Sequence, residues 1–231
     1  MNATVRLAKL LSRYRTDLGE VYRVNFIEAL NWRYAVKQFS DQRIPQSQLR
    51  QLLEATRLSA SAYGLQPYQL LVVEADSVKA RLCEYAYGQE KVRFCSHLVV
   101  FASQARIDEQ LVDRYMQRYG ELHPLSDDER TRLRTALTSA LLGMSAAEKQ
   151  EWARQQAYLG LGNLLTCAAQ SRIDSCPMAG FEPQGFDKVL GLKQQGLTST
   201  VICALGYRHE NDTYAHRPRI RQDYDAFVQV V

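Results

Sequence analysis

Two stretches of alternating cations are the residues most able to do chemistry. In Arg33-Tyr34-Ala35-Val36-Lys37-Gln38-Phe39, an extended backbone puts Arg33, Ala35 and Lys37 on one face, because strand side chains alternate. Two cations flanking a small residue suit a phosphate and the polar edge of a ring. An edge strand guarded by charge has the same pattern. Arg217-Pro218-Arg219-Ile220-Arg221 repeats the alternation in a segment that proline stiffens. Guanidinium groups hold phosphate through paired hydrogen bonds, although a solvated basic tail fits equally well. Between these clusters lie two small-residue segments. Ser59-Ala60-Ser61-Ala62-Tyr63-Gly64-Leu65-Gln66-Pro67-Tyr68 offers hydroxyls, an amide and a backbone that a ligand can approach closely, or is an ordinary tight connection. Cys176-Pro177-Met178-Ala179-Gly180-Phe181 either aims free N–H groups at a ligand or simply turns the chain.

The elements that must position these segments follow from periodicity. Leu7, Leu10, Leu11, Tyr14, Leu18, Val21 and Tyr22 form one apolar helical stripe within a basic N-terminal extension over residues 1–25. A helix is predicted at Gln46–Ser59, a strand at Tyr68–Glu74, and a short helix from Asp76 or Ser77 to about Tyr85. Leu98-Val99-Val100-Phe101 sits in a buried strand over Ser96–Ser103. Residues 106–150 are charged and helical, broken at His123-Pro124, with Ser126-Asp127-Asp128-Glu129 as a capping box. Tyr115, Met116 and Tyr119 in this stretch read as helix core, with substrate contact as the alternative. A long helix follows from about Ala146 to Ala169. Its Gly160 and Gly162 each cost about 1 kcal/mol relative to Ala, which points to close approach of another backbone, such as the same helix in a second subunit. A strand near Arg172–Cys176, a turn at Pro177–Gly180, a helix near Pro183–Leu190 and a strand over Ser199–Arg208 complete the body. The tail from His216 ends in the extended-looking Phe227-Val228-Gln229-Val230-Val231. Helices outnumber strands and the strands are dispersed among them, so the fold class is α+β: one domain over 26–231, a three-layer sandwich with a small central mixed sheet flanked by helices.

Composition and missing motifs narrow the chemistry. The chain has 231 residues, 46% hydrophobic and 23% charged, with a net charge of +4, and lacks an apolar run of membrane-spanning length. Residues 1–25 hold five cations against two acids, so the body is nearly neutral, which disfavours binding of nucleic acid by charge alone. Five widely spaced cysteines form no C-x-x-C pair and share no ligand spacing with the four histidines. They read as reduced, mostly buried thiols of a cytoplasmic protein, with no metal site. The Arg-rich start also suits an organellar presequence, but Asp17, Glu20 and the regular spacing favour a helix that stays. No Rossmann fingerprint, Walker motif or Gly-x-Ser-x-Gly elbow is present.

Taken in order, these segments resemble the FMN-dependent nitroreductase family. Arg33, Lys37 and Phe39 match its N-terminal Arg-x-Ser-x-Arg/Lys-x-Phe stretch, and Ala60–Tyr68 its Pro-Ser-Ser-x-x-x-Gln-Pro-Trp loop. Gly162-Asn163 matches a pair on its long dimer helix. Pro177–Phe181 matches its Pro-x-x-Gly-Phe turn, Gly191–Lys193 with Gly196–Ser199 a further pair, and Arg217 with Arg219 its basic C-terminal pair. The likeness runs from about Phe26 to Arg221. It departs at Ala35, where Ser is usual, at Gly64, where Asn is common, and at Ala179, where some members carry Glu. The resemblance implies an intertwined homodimer whose FMN is bound by Arg33, Tyr34, Ala35, Lys37, Ser61, Gly64, Gln66, Pro177, Met178, Ala179, Gly180, Arg217 and Arg219. Arg33, Arg217 and Arg219 would hold the phosphate, and Lys37 the flavin N1/O2 edge, acting by electrostatics alone. Backbone N–H groups of Ala179 and Gly180 would face the N5/O4 edge, with Ser61 and Gln66 supplied by the second subunit. It further implies NADPH or NADH as reductant, a flat acceptor such as a nitroaromatic or quinone, and ping-pong kinetics. The alternatives are a specialised branch (dihydropteridine reduction, dehalogenation or flavin fragmentation) and a non-catalytic flavin- or partner-binding protein.

Overall fold

The structure is a computed structural model that describes residues 26–231, Leu142 by its backbone alone; the expected N-terminal helix lies outside the described residues. Four strands make the sheet: β1 (Tyr68–Val73), β2 (His97–Gln104), β3 (Asp174–Met178) and β4 (Leu197–Gly206). Their spatial order is β1-β2-β4-β3 and every pairing among them is antiparallel. A parallel pairing enters through a single bridge, Ala35 to Ser175, on the outer side of β3. The helices are α1 (Phe26–Trp32), α2 (Gln46–Arg57), α3 (Asp76–Glu84), α4 (Glu90–Phe94), α5 (Glu109–Leu122), α6 (Asp127–Leu142), α7 (Ala146–Gln170), α8 (Pro183–Leu190) and α9 (Tyr224–Phe227).

The three layers follow from strand alternation. On β2, Leu98 and Val100 face one way and join Val73, Cys176, Ile202 and Ala204 against α3, α4 and α8. Val99 and Phe101 face the other way and pack with Val201, Cys203 and Leu205 against α2 and α7. Every β2 residue but the last is buried, as a strand covered on both faces requires. A separate cluster of Ile107, Leu111, Val112, Met116, Leu137, Leu141 and Ala153 joins α5, α6 and the first half of α7, with Leu65 as its link to the loop before β1.

Several boundaries differ from the sequence reading for physical reasons. β3 begins at Asp174 and runs through Pro177, where the sequence suggests a turn. Proline lacks an N–H to donate, and β3 tolerates it because only one of its sides pairs with a full strand. The first residue of α3 is Asp76, which salt-bridges Lys79 and Arg43 at 2.9 Å rather than capping the helix. Ser126 and Ser145 form complete capping boxes with Glu129 and Glu148, fixing the starts of α6 and α7. The tail coils once as α9 before its last residues.

Candidate active site

Asp212 organises the first half of the site. Its Oδ2 accepts from Tyr34 Oη at 3.0 Å and from the backbone N–H groups of Lys37 at 2.8 Å and Gln38 at 3.2 Å, while Oδ1 accepts from Tyr214 N–H. Burial opposes its charge, yet these donors outweigh that and hold the carboxyl below the usual carboxylate range. The same hydrogen bond, added to burial, pushes the Tyr34 hydroxyl up. One carboxylate therefore ties segment 33–38 to the start of the C-terminal tail, about 175 residues away in sequence. Beside it, Asp174 receives a bidentate ion pair from Arg208, 2.7 Å from Nη2 and about 3 Å from Nε, and the Arg208 backbone N–H at 2.8 Å. The Arg208 guanidinium stacks over Trp32 and Tyr34 at 4.3 and 4.6 Å from the ring centres.

On this frame the alternation expected for 33–37 holds. Tyr34 and Val36 are buried, while Arg33 and Ala35 are half-buried and Lys37 is exposed at the start of a bend. The Tyr34 side chain turns into the core. Lys37 Nζ and the Arg217 guanidinium both lie over the Tyr214 ring, at 5.4 and 3.8 Å from its centre. Burial lowers the Arg33 pKa, with the charges of Arg221 and Arg219 adding to the effect, and its Nε is buried without a hydrogen-bond partner. Among the described residues, Arg33, Lys37, Arg217, Arg219 and Arg221 make no ion pair within 4 Å. Arg219, expected to hold the phosphate, donates from its guanidinium nitrogens to the carbonyls of Trp32, Arg33 and Arg217.

β3 delivers the next segment to the same place. The Val36 N–H donates to the Ser175 carbonyl at 3.4 Å, so segment 33–37 lies beside β3, which leads into Ala179-Gly180. Met178 is buried in the core, so its contribution there is backbone. Ala179 and Gly180 are exposed, and their N–H groups make no hydrogen bond among the described residues. Gln89, which the sequence reading missed, fixes this turn by donating Nε2 to the Gly180 carbonyl at 2.9 Å. Nothing in the sequence distinguished Gln89 from any other polar loop residue.

Ser61, Gly64 and Gln66 lie elsewhere. Their loop leads into β1, the edge strand opposite β3, so three inter-strand spacings of about 4.8 Å each separate the two edges. The loop is anchored to α7, with Ala62 N–H donating to Gln156 Oε1 and Asn163 Nδ2 to Ser59 Oγ, both at 2.8 Å. Tyr63, Gly64 and Gln66 all take positive φ, at 56°, 72° and 43°. For Tyr and Gln that conformation costs about 1–2 kcal/mol each, and such strain concentrates at functional sites. Ser61 Oγ accepts from Gln66 N–H, and Gln66 Nε2 donates to the Arg57 carbonyl. Tyr115 of α5 packs against Gly64 and begins a ladder of rings: Tyr115 to Tyr119 at 5.8 Å, then Tyr119 to His123 at 4.7 Å. Met116 is core, as expected.

Gly160 has a different reason from the one its sequence suggested. A Cβ there would fall 2.4 Å from Tyr68 Oη of the same chain, so the close neighbour is a β1 side chain rather than a second backbone. Gly162 faces open space. The five thiols are free, and burial pushes Cys95 up to about 12 and Cys203 up as well, which disfavours their thiolates. No helix among the described residues is long and apolar enough to cross a membrane.

Known proteins resemble this chain over most of its length. The Major NAD(P)H-flavin oxidoreductase of Aliivibrio fischeri is 27% identical over 213 residues, covering 89% of this chain and 98% of its own. The crystal structure of a nitroreductase family protein from Streptococcus pneumoniae superposes with a TM-score of 0.75 at 20% identity, covering 90% of this chain and all of that one. A structure from Exiguobacterium sibiricum in complex with FMN gives a TM-score of 0.76 at 18% identity, covering 90% and 97%. Residues 30–207 match the sequence pattern of the Nitroreductase family, and the chain belongs to that family.

Proposed function

We propose that this protein is a homodimeric FMN-dependent oxidoreductase that takes hydride from NADPH or NADH and reduces a flat acceptor such as a nitroaromatic or quinone. The observation that carries this reading is the cluster of Arg33, Lys37, Arg217, Arg219 and Arg221, assembled by Asp212 and free of ion pairs among the described residues. The carboxylates nearby are taken up by other donors, Asp212 by Tyr34 and backbone N–H groups and Asp174 by Arg208, so these cations suit an anion from outside the chain, and the Nε of Arg33 is a buried donor without an acceptor. The residues present therefore fit a flavin phosphate.

Bound FMN would supply hydride acceptance and onward two-electron transfer; the chain supplies placement and field. Lys37 holds a positive charge where the ring's N1/O2 edge would lie, lowering the cost of negative charge gained on reduction. The free N–H groups of Ala179 and Gly180 would serve the opposite polar edge, and Gln89 holds their turn. Ser61, Gly64 and Gln66 occupy the far edge of the sheet, so one chain does not bring them to the cation cluster; a second subunit does. The exposed α7 stripe of Gln155, Leu159, Gly162 and Asn163, with Leu159 54% exposed, supports that assembly. The tyrosine ladder beginning at Gly64 supports a planar acceptor. Reductant and acceptor then share one open face in turn, which predicts ping-pong kinetics. Five free thiols suit a cytoplasmic setting. The test is whether NADPH or NADH bleaches the flavin absorbance of the FMN-loaded protein and whether a quinone or nitroaromatic restores it.

A further inference from the structure

We propose that a cleft at one end of the sheet, between α7 and α8, is a second ligand site that takes a small phosphorylated polyol such as a sugar phosphate. It stands apart from the flavin reading, because the cleft shares no residue with the proposed flavin site.

The cleft opens where β3 stops. The last residue of β3, Met178, pairs with Ile202, so β4 from Leu197 to Val201 has β2 on one side and no strand on the other among the described residues. Asp187 of α8 takes the place of the missing strand. Its Oδ1 accepts from the Ser199 N–H at 2.7 Å and Oγ at 2.8 Å, and its Oδ2 from Thr198 Oγ1 at 2.8 Å. That carboxylate is buried and fully engaged by the fold, and it is the one acid in the cleft lining. The lining also carries two exposed cations, Arg154 and Lys193. Lys193 makes no ion pair among the described residues, and Arg154 has only Glu151, 3.8 Å from its Nε.

The buried part of the lining points the same way. Phe101 pairs with Val201 but Ala102 pairs with Ser199, so Thr200 is the extra residue of a β-bulge. Bulges re-aim side chains and gather beside functional sites. Thr200 Oγ1 donates to Ser103 Oγ at 2.7 Å, and both residues are buried at the cleft. Two hydroxyls bring two hydrogens to one bond, so one buried donor is left without an acceptor among the described residues. Gln104, Gln150 and Gln184 add amides, and the apolar lining is limited to Ala105, Pro183 and Leu197. The volume of about 420 Å³ is that of a small-molecule site rather than of a bare phosphate. Buried hydroxyls with amides and two exposed cations suit a ligand that is polar throughout and anionic at one end. An aromatic ring would leave the buried donor unpaired.

The experiment is isothermal titration calorimetry of the full-length protein with ribose 5-phosphate, ribose and inorganic phosphate. Ribose 5-phosphate is expected to bind saturably and more tightly than either of the others. The double variant Arg154→Gln/Lys193→Gln changes exposed side chains that the fold tolerates, and should weaken that binding about tenfold or more. Ser103→Ala should weaken ribose 5-phosphate while leaving inorganic phosphate as it was. Arg217→Ala, in the proposed flavin site, should leave ribose 5-phosphate binding unchanged. The proposal is overturned by an absence of saturable binding, or by equal affinity for inorganic phosphate and ribose 5-phosphate. Wild-type affinity in the double variant or in Ser103→Ala, or a loss confined to Arg217→Ala, overturns it as well.

Discussion

Asp212 accepts four hydrogen bonds in a nearly fully buried position. Asn in its place would turn an amide N–H toward some of those donors. Asp212→Asn should therefore destabilise the fold by about 2–3 kcal/mol, read as a lower urea midpoint, and should loosen flavin binding by freeing segment 33–38 from the tail. The same carboxylate gives a pH signature. Its folded pKa lies below the unfolded value of about 3.9, so its stabilising contribution is fully present above about pH 3.9 and is lost as pH falls through the folded value. Asp212→Asn should remove that part of the acid transition. The sequence shows Arg33 and Lys37 as a pair, because their alternation is local. It does not show Asp212, whose partners lie about 175 residues upstream, nor that Arg219 is occupied by carbonyls that only the fold brings to it.

Elements with strong local signals were legible. α8 spans Pro183–Leu190 as its sequence predicts, and α6 begins at the capping box at Ser126. β3 was misplaced by two residues because Pro177 reads as a breaker, whereas an edge strand accommodates it. On α7 the two glycines look alike in sequence and differ in the fold. A Cβ at Gly160 would sit 2.4 Å from Tyr68 Oη and 2.9 Å from its Cζ, against a half-buried ring. Gly160→Ala should cost about 1–3 kcal/mol despite the better helix former, through overpacking against β1. Adding Tyr68→Phe removes the closest atom and should restore part of that loss in thermal melts. Full stability in the single variant would show that α7 is free to shift from β1.

At the scale of the whole molecule, the two halves of the proposed site lie on opposite edges of one sheet, with Ser61, Gly64 and Gln66 before β1 and the cation cluster beyond β3. Antiparallel order β1-β2-β4-β3 enforces that separation, and the homodimer proposed above would close it. Gly162 tests this without disturbing the protomer, since nothing lies within 4 Å of where its Cβ would be. Gly162→Leu should preserve helical content while shifting the mass measured by light scattering from dimer to monomer; an intact dimer would place the interface elsewhere. The family could be read from six short segments in order, but the separation of those segments across the sheet could not. The most direct measurement is an anaerobic spectral titration of the FMN-loaded protein with NADPH and with NADH. The account predicts that at least one bleaches the bound flavin stoichiometrically and that a quinone or nitroaromatic restores the colour. Failure to retain FMN, or bound FMN that neither nucleotide reduces, would contradict it.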